Sequence, residues 1–213
     1  VHAKEVDNRG HCPEVLEKIN KIQGEIRRDF DKETLADCPK IQNWRKAYKA
    51  FGAKPKKHQS SVENLYRMTL EGSVLRSINT LVDIYNCVSL KHMVPIGGDD
   101  LAQVEGDIVL RFAKGEEPFF PLGSKEMQKA RAGEVIYADE REVLCRRWNW
   151  RESEKTKMSE ETQDVLLVCE GLPPLTAEDI RQTAKDLGQM VKNHCGGEIE
   201  IAELGIASNE FEL

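Results

Sequence analysis

The stretch EVIYADEREVLCRRWNW, residues 134–150, decides the fold class. Two runs rich in β-formers, EVIYA (134–138) and EVLCRRWNW (142–150), flank a short charged turn, the pattern of paired strands and not of a helix. Working outward, DIVLRF (107–112) and DVLLVC (164–169) have the same character between Gly, Pro and charged turns, and residues 198–204 read as a further edge strand. Upstream the apolar period changes to helical. Val15, Ile19, Ile22, Ile26 and Phe30 recur at three and four behind Pro13, and Ile41, Trp44, Tyr48 and Phe51 repeat that spacing up to Gly52 and Pro55. Ser60 and Glu63 predict a capping box for a third helix through Leu65, Met68 and Leu70 to Gly72. Ile78, Leu81, Val82 and Tyr85 continue helical spacing to Val88, after which Pro95, Gly97 and Gly98 predict a loop. Downstream of the strands, Thr176 and Asp179 cap a last helix whose Ile180, Ala184, Leu187 and Val191 share one face before Gly196 and Gly197. Helices first and strands afterwards define an α+β class.

Composition bounds the function. With 213 residues, 39% hydrophobic and 32% charged, the chain supports one soluble core. No apolar run is long enough to span a bilayer and the sequence is polar from Lys4 onward, so no membrane partner and a cytoplasmic location are expected. The six cysteines are scattered without a CxxC pair and read as reduced, mostly buried thiols; neither a metal nor a cofactor is expected. GxxxxGK[ST], GxGxxG and GxSxG are absent, which removes P-loop, dinucleotide-binding and α/β-hydrolase chemistry. A net charge of -6 argues against wholesale coating of nucleic acid, and no DNA partner is expected. One stretch departs from that balance. RKAYKAFGAKPKKH (45–58) holds Arg45, Lys46, Lys49, Lys54, Lys56 and Lys57 with no acid, so it reads either as a solvated helix face and loop or as a one-sided RNA contact. CRRWNWR (145–151) crowds two tryptophans and three arginines onto one strand. Alternation predicts Arg147 and Asn149 beside Cys145 on one face, with Arg146, Trp148 and Trp150 on the other. Such a strand is either a two-faced edge with Trp/Arg stacking or a pocket wall binding phosphate, ribose or an acyl carbonyl.

In collinear order, RSINTLVDIYNCVSL (76–90), VEGDIVLRFAKGEE (104–117) and ETQDVLL (161–167) resemble the B3/B4 editing module of the phenylalanyl-tRNA synthetase beta subunit, over roughly half the chain. Together with WRKAYKAFG and CRRWNWR, the pattern also resembles stand-alone relatives of that module. The resemblance implies a B3/B4-like mixed sheet core flanked by helices at 59–213, with a C-terminal helix and an edge strand, preceded by an N-terminal helical extension at 1–58 packed on it. It implies a trans-editing aminoacyl-tRNA deacylase that binds the tRNA acceptor end, a second sieve for errors that synthetases cannot reject by binding alone. The alternatives are a non-catalytic tRNA-binding module of the same fold and an enzyme acting on another activated acyl compound.

Departures from the family pattern bear on the site. Asn86 keeps a pocket asparagine, but Tyr85 replaces the preceding threonine, Gly97 replaces a histidine that serves the hydrolytic water, and Val168 replaces the glutamate that recognises a tyrosine hydroxyl. CRRWNWR replaces a glycine-rich turn, so Trp148 or Trp150 fills space and a smaller or differently shaped amino acid is expected. Catalytic contacts to the carbonyl or ribose are assigned to Asn86, Asn149 and Arg147. Tyr85, Ser89, Gly97, Trp148, Thr156 and Val168 are assigned to substrate binding. Because an aminoacyl ester is already activated, positioning of water and oxyanion stabilisation suffice for hydrolysis.

Overall fold

A computed structural model describes residues 1–212. The elements run β1 (His2–Lys4), α1 (Pro13–Asp29), α2 (Pro39–Ala50), α3 (Ser61–Leu70), α4 (Thr80–His92), β2 (Ile96–Asp100), β3 (Val109–Phe112) and β4 (Pro118–Phe119). They continue with β5 (Gln128–Lys129), β6 (Val135–Ala138), β7 (Val143–Arg146), β8 (Arg151–Glu152), β9 (Asp164–Cys169), α5 (Ala177–Cys195) and β10 (Glu198–Glu200). The α+β class holds.

Local chemistry sets the helix ends. Pro13 starts α1, which buries Val15, Ile19 and Ile26; α2 buries Ile41, Trp44 and Tyr48. α5 opens on a complete capping box, with Thr176 accepting from Asp179 N and the Asp179 side chain accepting from Thr176 N. Its fully buried Leu187 and Val191 each contribute about 2 kcal/mol of apolar burial. The box expected at α3 is only half made. Ser60 Oγ accepts from Glu63 N at 3.4 Å, but the buried Glu63 carboxylate pairs with Arg45 (2.5 Å) and Arg67 (2.8 Å) instead of turning back. The buried face of α3 is Val62, Tyr66 and Thr69, while Leu65, Met68 and Leu70 are half-buried. Asn79 caps α4 by accepting from Val82 N, so that helix starts after Ile78, which is left exposed.

Two four-stranded sheets and one two-stranded sheet follow, in the orders β10-β1-β9-β2, β3-β6-β7-β8 and β4-β5. Every described pairing is antiparallel, where the resemblance implies a mixed sheet. The N-terminal segment is not purely helical: β1 lies between β10 and β9, and Ala3, Val6, Val15 and Ile19 share one core cluster with Leu81, Val88, Ile96, Val165 and Leu187. A smaller cluster of Phe119, Ile136 and Val143 lies in the second sheet.

Two sequence expectations are corrected. Gly97 and Gly98 belong to β2, paired with Val168 and Leu167 of β9, and do not form a loop. Glycine is there for close approach: a Cβ at Gly98 would sit 2.6 Å from Leu166 O, and one at Gly97 would sit 2.7 Å from Glu152 Oε1. CRRWNWR is likewise not one strand. β7 ends at Arg146, and residues 147–150 turn into β8, with Arg147 (φ +49°) and Trp148 (φ +68°) in the left-handed region. Trp148 N donates to Val135 O (2.7 Å) and Trp150 N to Arg146 O (3.2 Å), which holds the turn and cancels the predicted alternation.

Candidate functional site

The turn at 147–150 is fixed from outside by α2. Trp44 packs edge-on against Trp148, with ring centroids 5.0 Å apart, and Tyr48 Oη donates to Asn149 Oδ1 at 2.9 Å. Trp148 and Asn149 thereby line a cleft with Gly97, Gly98 and Asp99 of β2, Cys145 of β7, Glu152 of β8 and Val168 of β9; Ile108, Tyr137 and Glu170 complete it. Its free volume is about 30 Å³. That is room for a water or two.

Three carboxyl groups converge here. Glu170 accepts from Tyr137 Oη (2.7 Å), Asn149 Nδ2 (2.6 Å) and Trp148 Nε1. Burial raises its pKa against those donors. Asp99 accepts from Thr156 Oγ1 at 2.5 Å, and burial, opposed by that bond, brings its carboxyl up to about 6. Burial and then the charge of Asp99 push Glu152 well above the carboxylate range. Both carboxyls therefore hold a proton more readily than exposed carboxylates do, the condition under which one group can take a proton while the other gives one. Burial also raises the Cys145 thiol and the Tyr85 and Tyr137 phenols, with Glu152 among the nearby charges in each case.

The residues singled out in the sequence separate into groups. Gly97, Trp148, Asn149 and Val168 meet in the cleft. Thr156 stands behind Asp99 and orients it. Tyr85 is half-buried within reach of the charges of Glu152 and Asp99. Ser89 is fully buried and donates to Val94 O (2.6 Å), closing the end of α4. Asn86 is half-buried on α4, is not among the cleft residues, and its side chain makes no hydrogen bond among the described residues. Arg147 is not among the cleft residues; its guanidinium lies 4.5 Å over the Trp150 ring. Asp99, Tyr137, Glu152 and Glu170 were not singled out. For Glu170 a signal existed: it lies two residues beyond Val168, on the same side of an extended chain.

In the basic segment, Arg45 is held by Glu63, whereas Lys46, Lys49, Lys54, Lys56 and Lys57 are exposed and make no ion pair among the described residues. Among those residues there is no group of three or more His, Cys, Asp or Glu side chains arranged for a metal, and no helix is long and apolar enough to cross a membrane.

Comparison with known proteins gives a consistent picture. Residues 43–194, well over half of the chain, match the B3/4 domain family. The chain is 35% identical over 114 residues to the phenylalanine-tRNA ligase beta subunit of Vibrio cholerae, covering 54% of this chain and 14% of that protein. It is 34% identical over 106 residues to the same subunit of Shewanella oneidensis, covering 50% and 13%. The chain thus spans about a seventh of the length of these curated relatives. Among solved structures, an N-terminal fragment of the phenylalanyl-tRNA synthetase beta subunit from Pyrococcus horikoshii superposes with a TM-score of 0.44 at 17% identity, over 53% of this chain and 39% of that one.

Proposed function

This chain belongs to the B3/4 domain family, and we propose that it is an aminoacyl-tRNA deacylase of the cytoplasm that hydrolyses the ester of a small, wrongly attached amino acid at the mouth of the cleft lined by Gly97, Trp148, Asn149 and Glu152, whose interior admits the attacking water. The observation that carries this reading is the convergence of Asp99 and Glu152 on one cleft, with both carboxyls raised by burial, Asp99 to about 6. A water gives its proton to Asp99 as its oxygen attacks the ester carbonyl. The ester C–O bond then breaks, and the departing ribose oxygen takes the proton of Glu152, leaving a free amino acid and tRNA at the cost of one water. General acid-base help of this kind is worth about 10²–10⁴ in rate. Trp148 and Asn149 bound the side-chain end of the cleft. Tyr137, Trp148 and Asn149 already donate to Glu170, and their side chains fill the space around it, which supports an amino acid smaller than tyrosine.

The narrowness of the cleft also favours a second reading, a tRNA-binding module without turnover. A panel of deliberately mischarged tRNAs, incubated with the parent, Asp99→Asn and Glu152→Gln proteins, separates the two. Selective release that falls at least about 100-fold in both variants supports the deacylase. Binding of tRNA with no release from any pair by the parent transfers the assignment to the second reading.

A further inference from the structure

Arg147 is an unusual cation. Its side chain is only 7% exposed, yet its guanidinium makes no hydrogen bond among the described residues. Its ionic contact, Nε to Glu134 Oε2 at 3.4 Å, falls on a carboxylate already taken by Arg146, whose Nε and Nη2 donate to Glu134 at 2.6 and 3.2 Å. Beside it, His58 stands edge-on to Trp150 at 4.6 Å, and its Nδ1 is buried with no hydrogen-bond partner. The exposed Arg131 lies near enough for its charge to act on both Arg147 and His58. Two guanidinium groups thus share the Glu134 carboxylate, with the charge of Arg131 close by. None of the Arg147 nitrogens is among the buried atoms left without a partner, so its free N–H groups reach solvent, where an anion can fill them.

We propose that Arg147, Arg131 and His58 bind a backbone phosphate of a nucleic acid. The assignment rests on the tRNA reading above and names where the backbone lies relative to the cleft. Planar guanidinium donors suit phosphate oxygens, and Trp150 keeps the Arg147 plane fixed. The exposed Lys54, Lys56 and Lys57 lead directly to His58 along the chain, giving the strand an approach of matching charge. One four-residue turn carries Arg147 on one side and Trp148 with Asn149 on the other, so a phosphate held at Arg147 places the neighbouring nucleotides at the cleft mouth.

Binding of uncharged tRNA measured between about 50 and 200 mM salt, for the parent, Arg147→Gln and Arg131→Gln, tests this. Each substitution is expected to weaken binding roughly tenfold and to reduce the salt slope by about 0.7, without lowering the melting temperature of Arg131→Gln. Hydrolysis of an aminoacyl-adenosine, which has no phosphate, should be unchanged in Arg131→Gln. The exposed Arg131→Gln keeps the test decisive if Arg147→Gln fails to fold. Parental affinity and slope in Arg131→Gln overturn the proposal. So does inorganic phosphate that raises the melting temperature of the parent alone while tRNA affinity ignores both substitutions, because the site then serves a free phosphate. Altered slopes with no hydrolysis of any mischarged tRNA by the parent remove the deacylase reading and leave the phosphate site supported.

Discussion

Replacing Asp99 by Asn keeps the shape of the side chain and an oxygen for Thr156 Oγ1, 2.5 Å away, but removes the proton site. In the folded chain burial, opposed by the Thr156 bond and assisted by the charge of Asp139, raises this carboxyl from 3.8 to about 6. The folded state therefore binds that proton more tightly than the unfolded state. Stability from the protonated group is fully present below pH 3.8, declines between 3.8 and about 6, and is lost above that window. With the residue 8% exposed, screening by solvent is small, and at about 1.36 kcal/mol per pH decade the loss is on the order of 3 kcal/mol. Asn has no such loss. The stability of Asp99→Asn relative to the parent should accordingly rise by about 3 kcal/mol from about pH 4 to about pH 7. Glu152 adds to the effect, since the charge of Asp99 is among the causes that raise it. Glu117, which burial pushes up but the Lys114 N–H and Arg111 bring down to about 2, cancels because it is present in both proteins. Urea unfolding of both proteins at the two pH values reads the quantity directly. A difference that stays constant to within about 0.5 kcal/mol would refute a charged, buried Asp99. The same variant should be more stable and less active at neutral pH, the exchange expected of a strained active-site charge.

Gly98→Ala should lower the urea midpoint, since its Cβ would fall 2.6 Å from both Leu166 O and Leu167 Cδ2, and the backbone oxygen cannot yield without disturbing β2 against β9; the expected cost is about 1–3 kcal/mol, and an unchanged midpoint contradicts the close approach. Tyr48→Phe removes the donor to Asn149 Oδ1 from a side chain only 1% exposed, leaves that oxygen unpaired and frees the turn that carries Trp148. A loss of about 1–2 kcal/mol in thermal denaturation is expected, together with slower deacylation; an unaltered melting temperature counts against the anchoring role of α2.

Helices were legible in this sequence because their signals are local. Apolar spacing placed α1 and α2, and Thr176 with Asp179 marked the start of α5 within one turn of chain. What failed was decided across the fold. The three residues of β1 carry no alternation to read, and they become a strand only because β9 and β10 flank them. Gly97 and Gly98 look like a chain break until the approach of Leu166 and Glu152 supplies the reason for having no side chain. In CRRWNWR, two residues without the freedom of glycine adopt the left-handed region, which packing by Trp44 and hydrogen bonding by Tyr48 and Val135 compel and no local rule predicts. The site divides along the same line. Trp148 and Asn149 stood out as unusual residue types, whereas Asp99, Glu152 and Glu170 are three among 37 acidic residues, distinguished only by the fold bringing them to one cleft.

The position of β1 also has a kinetic meaning. His2 meets Asp164 across 162 residues, and Lys4 meets Glu198 farther on still, so the innermost part of that sheet joins segments that are synthesised far apart in time. At roughly 5–20 residues per second, the first strand waits on the order of 10–30 s for its neighbours to emerge. Until then Ala3 and Val6, buried in the finished protein, remain exposed on the ribosome. Contacts of such long sequence separation slow folding, because loop closure precedes any gain from pairing. Pairing of β1 with β9 and β10 thus waits for both of those segments, and substitutions in β1 should act on the yield of folded chain more than on the cleft.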